Sequence, residues 1–232
     1  GQYGTSVLGE IIGSGKFTFP KSVYAVMDTL KYFIANKKNA LVIDFFAGSG
    51  TTMHAVNLLN SIDNGHRRCI MVTNNEVSAD EAKALDEKGY RPGDKEWDRL
   101  GIARYVTWPR TVCSIKGCNI DGKPLDGNYG CNVEQYTEIE GEIVNPETGK
   151  KIRGKVYKKE KEPAYPELAD LKMSDGFKTN AVFFKLSFLD KTSVALGRQF
   201  KELLPVLWMK GGAIGKCPAL ESDELPEMLI LP

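Results

Sequence analysis

Asp44, Gly48, Gly50, Thr51 and Glu76 are the residues of this 232-residue sequence whose types and spacing can do chemistry together. Asp44 closes an apolar run, Leu41-Val42-Ile43, and Phe45-Phe46-Ala47-Gly48-Ser49-Gly50-Thr51-Thr52 follows it. Glycine tolerates the positive φ of a tight turn and lets backbone N–H groups approach a ligand. A strand, a glycine loop and a helix start therefore make a cradle for nucleotide-type molecules. Two familiar versions fail on spacing. A dinucleotide fingerprint needs a third glycine where Met53 stands, and a phosphate-binding loop needs Lys and Ser/Thr after its last glycine, where Thr51-Thr52 stand. The pattern that remains, Asp-x-Phe-x-Gly-x-Gly, suits a ligand with a polar amino-acid end and an adenosine end.

These residues need elements to hold them. A second apolar run, Cys69-Ile70-Met71-Val72, follows a helical stretch through Ala55, Val56, Leu58 and Leu59, with Gly65 as its expected cap. Strand, helix and parallel strand in so few residues form a βαβ unit, with a right-handed crossover expected. Glu76 then lies beyond the second strand, beside the first loop, where an acid accepts hydrogen bonds from both hydroxyls of a ribose. The plainer alternative is that Glu76 caps the helix through Ala79, Ala82 and Leu85. Upstream, Val23, Val26, Met27, Leu30 and Ile34 recur at helical spacing behind Pro20. Lys21 and Ser22 start that helix, where free N–H groups attract anions; Lys21 is equally well an ordinary solvated first-turn residue. His54 reads as a packing or exposed residue, and Asp80 and Glu81 as first-turn acids.

Residues 44–52 resemble the S-adenosylmethionine loop of the DNA amino-methyltransferases, which methylate adenine N6 or cytosine N4. Phe17-Thr18-Phe19-Pro20-Lys21-Ser22 is similar to the segment those enzymes place before this loop, and Arg68-Cys69-Ile70-Met71-Val72-Thr73-Asn74-Asn75-Glu76 to their second strand ending in an acid. Later pieces resemble the modification subunits of type III restriction systems. The resemblance implies an α/β fold, a Rossmann-like S-adenosylmethionine-dependent methyltransferase sheet present in part, with an inserted β-hairpin module. It implies S-adenosyl-L-methionine bound by Lys21, Ser22, Asp44, Phe46, Ala47, Gly48, Ser49, Gly50, Thr51 and Glu76, with Lys21 and Ser22 at its carboxylate end. It further implies double-stranded DNA as the full-length protein's partner, a restriction subunit and a second methyltransferase subunit beside it, and a bacterial cytoplasm.

The catalytic motif of such enzymes is an Asp/Asn/Ser-Pro-Pro-aromatic tetrapeptide, which holds the target amino group and stacks the flipped base. The sequence has none: Glu162-Pro163-Ala164-Tyr165 lacks the second proline and follows no buried strand. In the permuted order this motif precedes the loop. The expectation is therefore the C-terminal, cofactor-binding part of a longer adenine-N6 methyltransferase, with no catalytic residue of its own and inactive alone. Two other functions stay open. One is a catalytically inactive cofactor-binding subunit of a DNA-binding assembly; the other is a methyltransferase for RNA or a small molecule, against which the Phe19-Pro20-Lys21 order argues.

Three regions are expected, 1–117, 118–175 and 176–232. The first carries the cofactor part. It opens on a glycine-rich loop, 1–16, whose Gly13-Ser14-Gly15-Lys16 invites phosphate binding until Phe17 takes the place of Ser or Thr. Residues 86–98 read as a polar loop, and Trp108-Pro109-Arg110 opens a helix. The second is a hairpin insertion, with turns at Asn119-Ile120-Asp121-Gly122 and Asn145-Pro146-Glu147-Thr148-Gly149 around alternating stretches at 136–144 and 151–157. Lys150, Lys151, Arg153, Lys155, Lys158, Lys159 and Lys161, with Tyr157 among them, can meet DNA phosphates, but a solvated edge guarded by lysines is the preferred reading. The third returns a strand at 181–189 to the main sheet, adds an apolar helix at 200–209, and ends on Leu229-Ile230-Leu231-Pro232, which reads as cut.

Composition narrows the rest. The apolar share of 42% is enough for a core, and the net charge of +1 confines any nucleic-acid contact to local patches. No apolar run of about 18 residues is present, and no secretory signal opens the sequence. Five cysteines without framework spacing read as free thiols of a reducing cytosol. A zinc site would need His54 or His66, both distant from the cysteine cluster at 113–131, so no metal is expected.

Overall fold

The computed structural model describes residues 2–144, 146–186, 189–196, 199–212 and 215–219. Asn145 of the expected turn, Ser187-Phe188 of the expected return strand and the terminal apolar run 229–232 lie outside the described residues. The chain divides into two units, Gly1–Val182 and Phe183–Pro232.

The first unit opens on α1 (Gln2–Ile12), which corrects the expectation of a loop at 1–16. Val7, Leu8, Ile11 and Ile12 form one buried stripe at helical spacing, which Gly4 and Gly9 obscure in the sequence. Gly4 is a matter of space. A Cβ there would overlap the Pro20 carbonyl oxygen and stand 2.8 Å from that of Lys21. α1 thus lies directly on the backbone that enters α2 (Val23–Ile34), where Ser22 is the N-cap, its Oγ accepting the Ala25 N–H at 3.5 Å.

β1 (Leu41–Asp44), α3 (Thr51–Asp63) and β2 (Arg68–Met71) make the expected βαβ unit. The strands are parallel, with Leu41 opposite Arg68 and Asp44 opposite Met71. α3 packs on α2 and β2 and buries His54, Ala55, Leu58 and Leu59. It ends on Asn64 at φ 51°, one residue before the expected Gly65 cap. Gly65 instead makes room for Arg67, whose guanidinium would overlap any Cβ there. Arg67 grips Asp63 with two bonds of 2.9 and 2.8 Å and donates to the carbonyls of Ile34 (3.1 Å) and Ala35 (2.7 Å). One buried, paired cation joins the ends of two helices to the start of β2. Alternation and register put Leu41, Ile43, Phe45, Ile70 and Val72 on one sheet face, 44% to 65% exposed.

Past β2 come α4 (Ala79–Glu87), α5 (Lys95–Leu100), a wide π-turn (Ala103–Thr107) and α6 (Trp108–Lys116). α5 falls partly in the stretch expected as a loop; Trp108-Pro109-Arg110 does open a helix. β3 (Asn132–Val144) and β4 (Lys151–Pro163) pair antiparallel along their full length, a longer hairpin than the alternation marked. Leu125, Tyr129, Leu168, Met173 and Phe177 flank this hairpin in sequence and close the core with Val23, Met27 and Leu58. The chain is of mixed α/β class with small sheets.

Residues 181–186 form no strand, which corrects that expectation. The apolar and aromatic residues suit a strand, but a strand also needs an edge to pair with. In the second unit, α7 (Lys191–Ala195) is capped by Asp190, and α8 (Phe200–Lys210), the expected apolar helix, buries Leu204 and Trp208. No helix among the described residues is long and apolar enough to cross a membrane.

Candidate functional site

The loop between β1 and α3 is built from its own side chains and from behind. Asp44 accepts the Phe46 N–H on Oδ1 at 2.9 Å and the Thr52 hydroxyl on Oδ2 at 2.6 Å. The Ala47 N–H reaches the Val72 carbonyl at 3.2 Å, and the Gly50 N–H turns back to the Ala47 carbonyl at 2.7 Å. Gly48 and Gly50 take φ of 49° and 76°, a region glycine enters without strain. Behind the loop, Thr107 Oγ1 donates to the Gly48 carbonyl at 2.6 Å. Arg110 Nη1 donates to the Ser49 carbonyl (3.2 Å), the Ser49 hydroxyl (3.0 Å) and the Thr51 hydroxyl (2.8 Å). In a trans peptide the carbonyl and the next N–H point opposite ways. Holding the Gly48 carbonyl toward Thr107 therefore turns the Ser49 N–H to the other side.

A cleft of about 660 Å³ lies on the β2 side, lined among others by Lys16, Phe17, Glu76, Ile102 and Tyr105. Phe17 belongs to loop and cleft alike, because its ring lies 3.5 Å from where a Cβ on Gly48 would stand. Glu76 is fixed through its backbone: its carbonyl accepts the Ile102 N–H at 2.7 Å. Its neighbour Asn75 donates to the Asp98 carbonyl at 2.8 Å and accepts the Arg104 N–H at 3.2 Å. A side chain at Gly101 would overlap Asn75. The cap of α4 is Ser78, so Glu76 does not serve there. Lys16 Nζ sits 4.6 Å above the Tyr105 ring.

The expected site residues fall into separate places. Glu76 is the one among them that lines the cleft. Gly48 and Gly50 shape the loop, and Ala47 is buried in it. Asp44 spends both oxygens inside the loop, and the hydroxyls of Ser49 and Thr51 turn back to Arg110. Phe46 is 93% exposed, Lys21 is exposed, and Ser22 caps α2. Sequence reasoning missed Thr107 and Arg110. The signal was present as a polar stripe, Thr107, Arg110, Thr111 and Ser114, at helical spacing; all four are buried. Burial pushes the Arg110 guanidinium down to about 10, so it stays charged at neutral pH. His54, buried and 2.9 Å from the Tyr129 hydroxyl, is held well below the usual histidine range by burial and then by the Arg110 charge.

A parallel βαβ unit with a glycine loop after its first strand and an acid beyond its second has the form of an α/β nucleotide-type site. The chain is similar, over part of its length, to methyltransferases of restriction–modification systems. It is 42% identical over 71 residues to the type II methyltransferase M.KpnI of Klebsiella pneumoniae, 31% of this chain and 16% of that protein. It is 42% identical over 87 residues to the Mod subunit of the type III restriction–modification enzyme EcoPI of Escherichia phage P1, 38% of this chain and 13% of that protein. The StyLTI Mod subunit of Salmonella typhimurium matches at 42% over 64 residues, 28% of this chain and 10% of that protein. The matches thus span 10% to 16% of those relatives' own length. No family model matches the chain.

Proposed function

We propose that this chain is the S-adenosylmethionine-binding part of a DNA methyltransferase of a restriction–modification system, acting on adenine N6 of double-stranded DNA. The observation that carries this is the meeting of the Asp44–Gly50 loop with the Glu76 cleft through Phe17. The donor set fits the cofactor. Glu76 brings two carboxylate oxygens for two ribose hydroxyls; Phe17, Ile102 and Tyr105 offer apolar and aromatic walls for a purine. When bound, the cofactor supplies a methyl group activated on a sulfonium. The chain's own part is to orient it, through the rigid loop and the fixed backbone of Glu76. Amine activation and base stacking are assigned to a Pro-Pro-aromatic motif elsewhere in a longer polypeptide.

The same reading extends the two described strands into a Rossmann-like sheet. Its support is the exposed face of Leu41, Ile43, Phe45, Ile70 and Val72, since parallel sheets are ordinarily covered on both faces. Residues 1–117 then form the cofactor part, 118–175 the insertion and 176–232 an appended region. The hairpin is not assigned to DNA. Lys151, Lys155 and Lys159 pair across the strands with Glu142, Glu138 and Glu134, and seven acidic residues match its seven basic ones between 132 and 163.

Radiolabelled methyl transfer to duplex DNA tests the proposal in a longer methyltransferase containing this chain. Transfer to adenine N6, abolished by Asp44→Ala, is the expected result. Transfer to cytosine N4 would overturn the target, and transfer indifferent to Asp44→Ala would overturn the site.

A further inference from the structure

The chain buries two arginines under opposite conditions. Arg67 has a carboxylate, Asp63, bound twice, and four further acceptor contacts on backbone and side-chain oxygens within 3.5 Å. Arg110 is 0% exposed, forms no ion pair among the described residues, and leaves Nε and Nη2 without a partner. A buried cation without a counter-ion is costly. A methionine or leucine would fill the same space without that cost, so packing does not explain the residue. Its contacts do. Nη1 reaches two atoms of Ser49 and one of Thr51, the last loop residues before and inside the first turn of α3, and Thr107 holds Gly48 one turn earlier.

We infer that Arg110, with Thr107, is a positioning residue for the loop between β1 and α3, holding its carbonyls and hydroxyls on the α6 side so that its free N–H faces the ligand side. The role of that loop as a cofactor cradle rests on the function proposed above; the clamp itself does not. The clamp springs from a π-turn, Ala103–Thr107, which widens the helix just where Thr107 must reach the loop. The same Thr107 hydroxyl lies 3.2 Å from the Ile102 carbonyl, a longer second acceptor for its one proton, and the Ile102 N–H in turn holds the Glu76 carbonyl. One segment, 102–110, therefore sets the loop on one side and Glu76 on the other. The close fit shows at Gly50, where a Cβ would stand 3.2 Å from Thr107 Cγ2.

Backbone amide hydrogen exchange on the 232-residue chain tests this, comparing wild type with Arg110→Met, Arg110→Lys and Thr107→Val. Thr107→Val is close to isosteric and serves where Arg110→Met fails to fold. The expected result is exchange of the Ala47 and Gly50 amides at least about tenfold faster in Arg110→Met and Thr107→Val, with Arg110→Lys between them and wild type. The Arg68 and Val72 amides of the sheet should stay as protected as in wild type. A merely structural role would lower protection at all four sites together, and that outcome, or an unchanged loop, overturns the inference. A second arm measures S-adenosylmethionine binding by calorimetry. Binding by wild type that weakens about tenfold or more in the variants supports the inference, and equal binding despite a loosened loop overturns it. A loop loosened in the variants, with a wild-type chain that does not bind the cofactor, supports the clamp and counts against the proposed function alone.

Discussion

Ser78 and Glu81 close the start of α4 between themselves: the Glu81 N–H donates to Ser78 Oγ at 3.3 Å, and that hydroxyl donates to Glu81 Oε2 at 2.6 Å. Ser78 thereby gives one free N–H of the helix start a partner, and Glu81 holds the Ser78 hydroxyl in place. Glu76, two residues earlier, is left facing the cleft. Glu81 is the first-turn acid the sequence suggested, and although both carboxylates line the cleft, Glu76 has no part in the cap.

Ser78→Ala should therefore destabilise the chain by about 1 kcal/mol and leave cofactor affinity unchanged. Denaturant unfolding beside calorimetry on one preparation checks both halves. A loss of affinity without loss of stability would show that Ser78, which also lines the cleft, touches the cofactor rather than only capping the helix.

Gly4→Ala should cost about 1–3 kcal/mol, the range for overpacking a close contact. Its Cβ would press on the Pro20 and Lys21 carbonyls and push α1 off the start of α2. Thermal melts measure the loss. A melting point equal to wild type would show that α1 does not sit on this backbone.

Stability should fall on mild acidification through His54. Its folded pKa lies below the unfolded value near 6.5 because burial, and then Arg110, disfavour the charged form. The unfolded chain consequently binds the extra proton first. Stability is fully present above about pH 6.5 and is lost as pH drops below it, with a slope of up to about 1.4 kcal/mol per pH unit. Asp63 and Glu167, whose carboxyls are held low by Arg67 and Lys31, enter only nearer about pH 4. Melts between those limits should be steeper for wild type than for His54→Gln. Equal slopes would contradict a neutral buried His54.

The legible part of the sequence was the part governed by local rules. Leu41-Val42-Ile43 and Cys69-Ile70-Met71 declared strands, though not buried ones, since Leu41, Ile43 and Ile70 are about half exposed; Gly48 and Gly50 declared a tight turn, and Trp108-Pro109 a helix start. Non-local causes stayed hidden. Gly4 lowers local helix propensity, yet α1 forms because packing on the Pro20–Lys21 backbone outweighs about 1 kcal/mol of propensity. The run from Ala181 to Leu186 is apolar and aromatic enough for a strand, but composition carries no information about a partner edge. Arg110 was missed for a related reason: its stripe of threonines and serine is as easily read as solvated surface, and its burial is set by Ser49 and Thr51, some sixty residues away.

The most direct test of the cofactor site is the affinity of a methyltransferase containing this chain for S-adenosylmethionine, measured for Glu76→Gln together with its melting temperature. Gln keeps the shape and one acceptor oxygen but loses the charge-assisted bonds to the ribose hydroxyls. The account predicts that affinity falls by about 10- to 150-fold while the melting temperature stays at the wild-type value, since Ser78 holds the helix. A mutant with unchanged affinity and a lowered melting temperature would contradict it and take Glu76 out of the site.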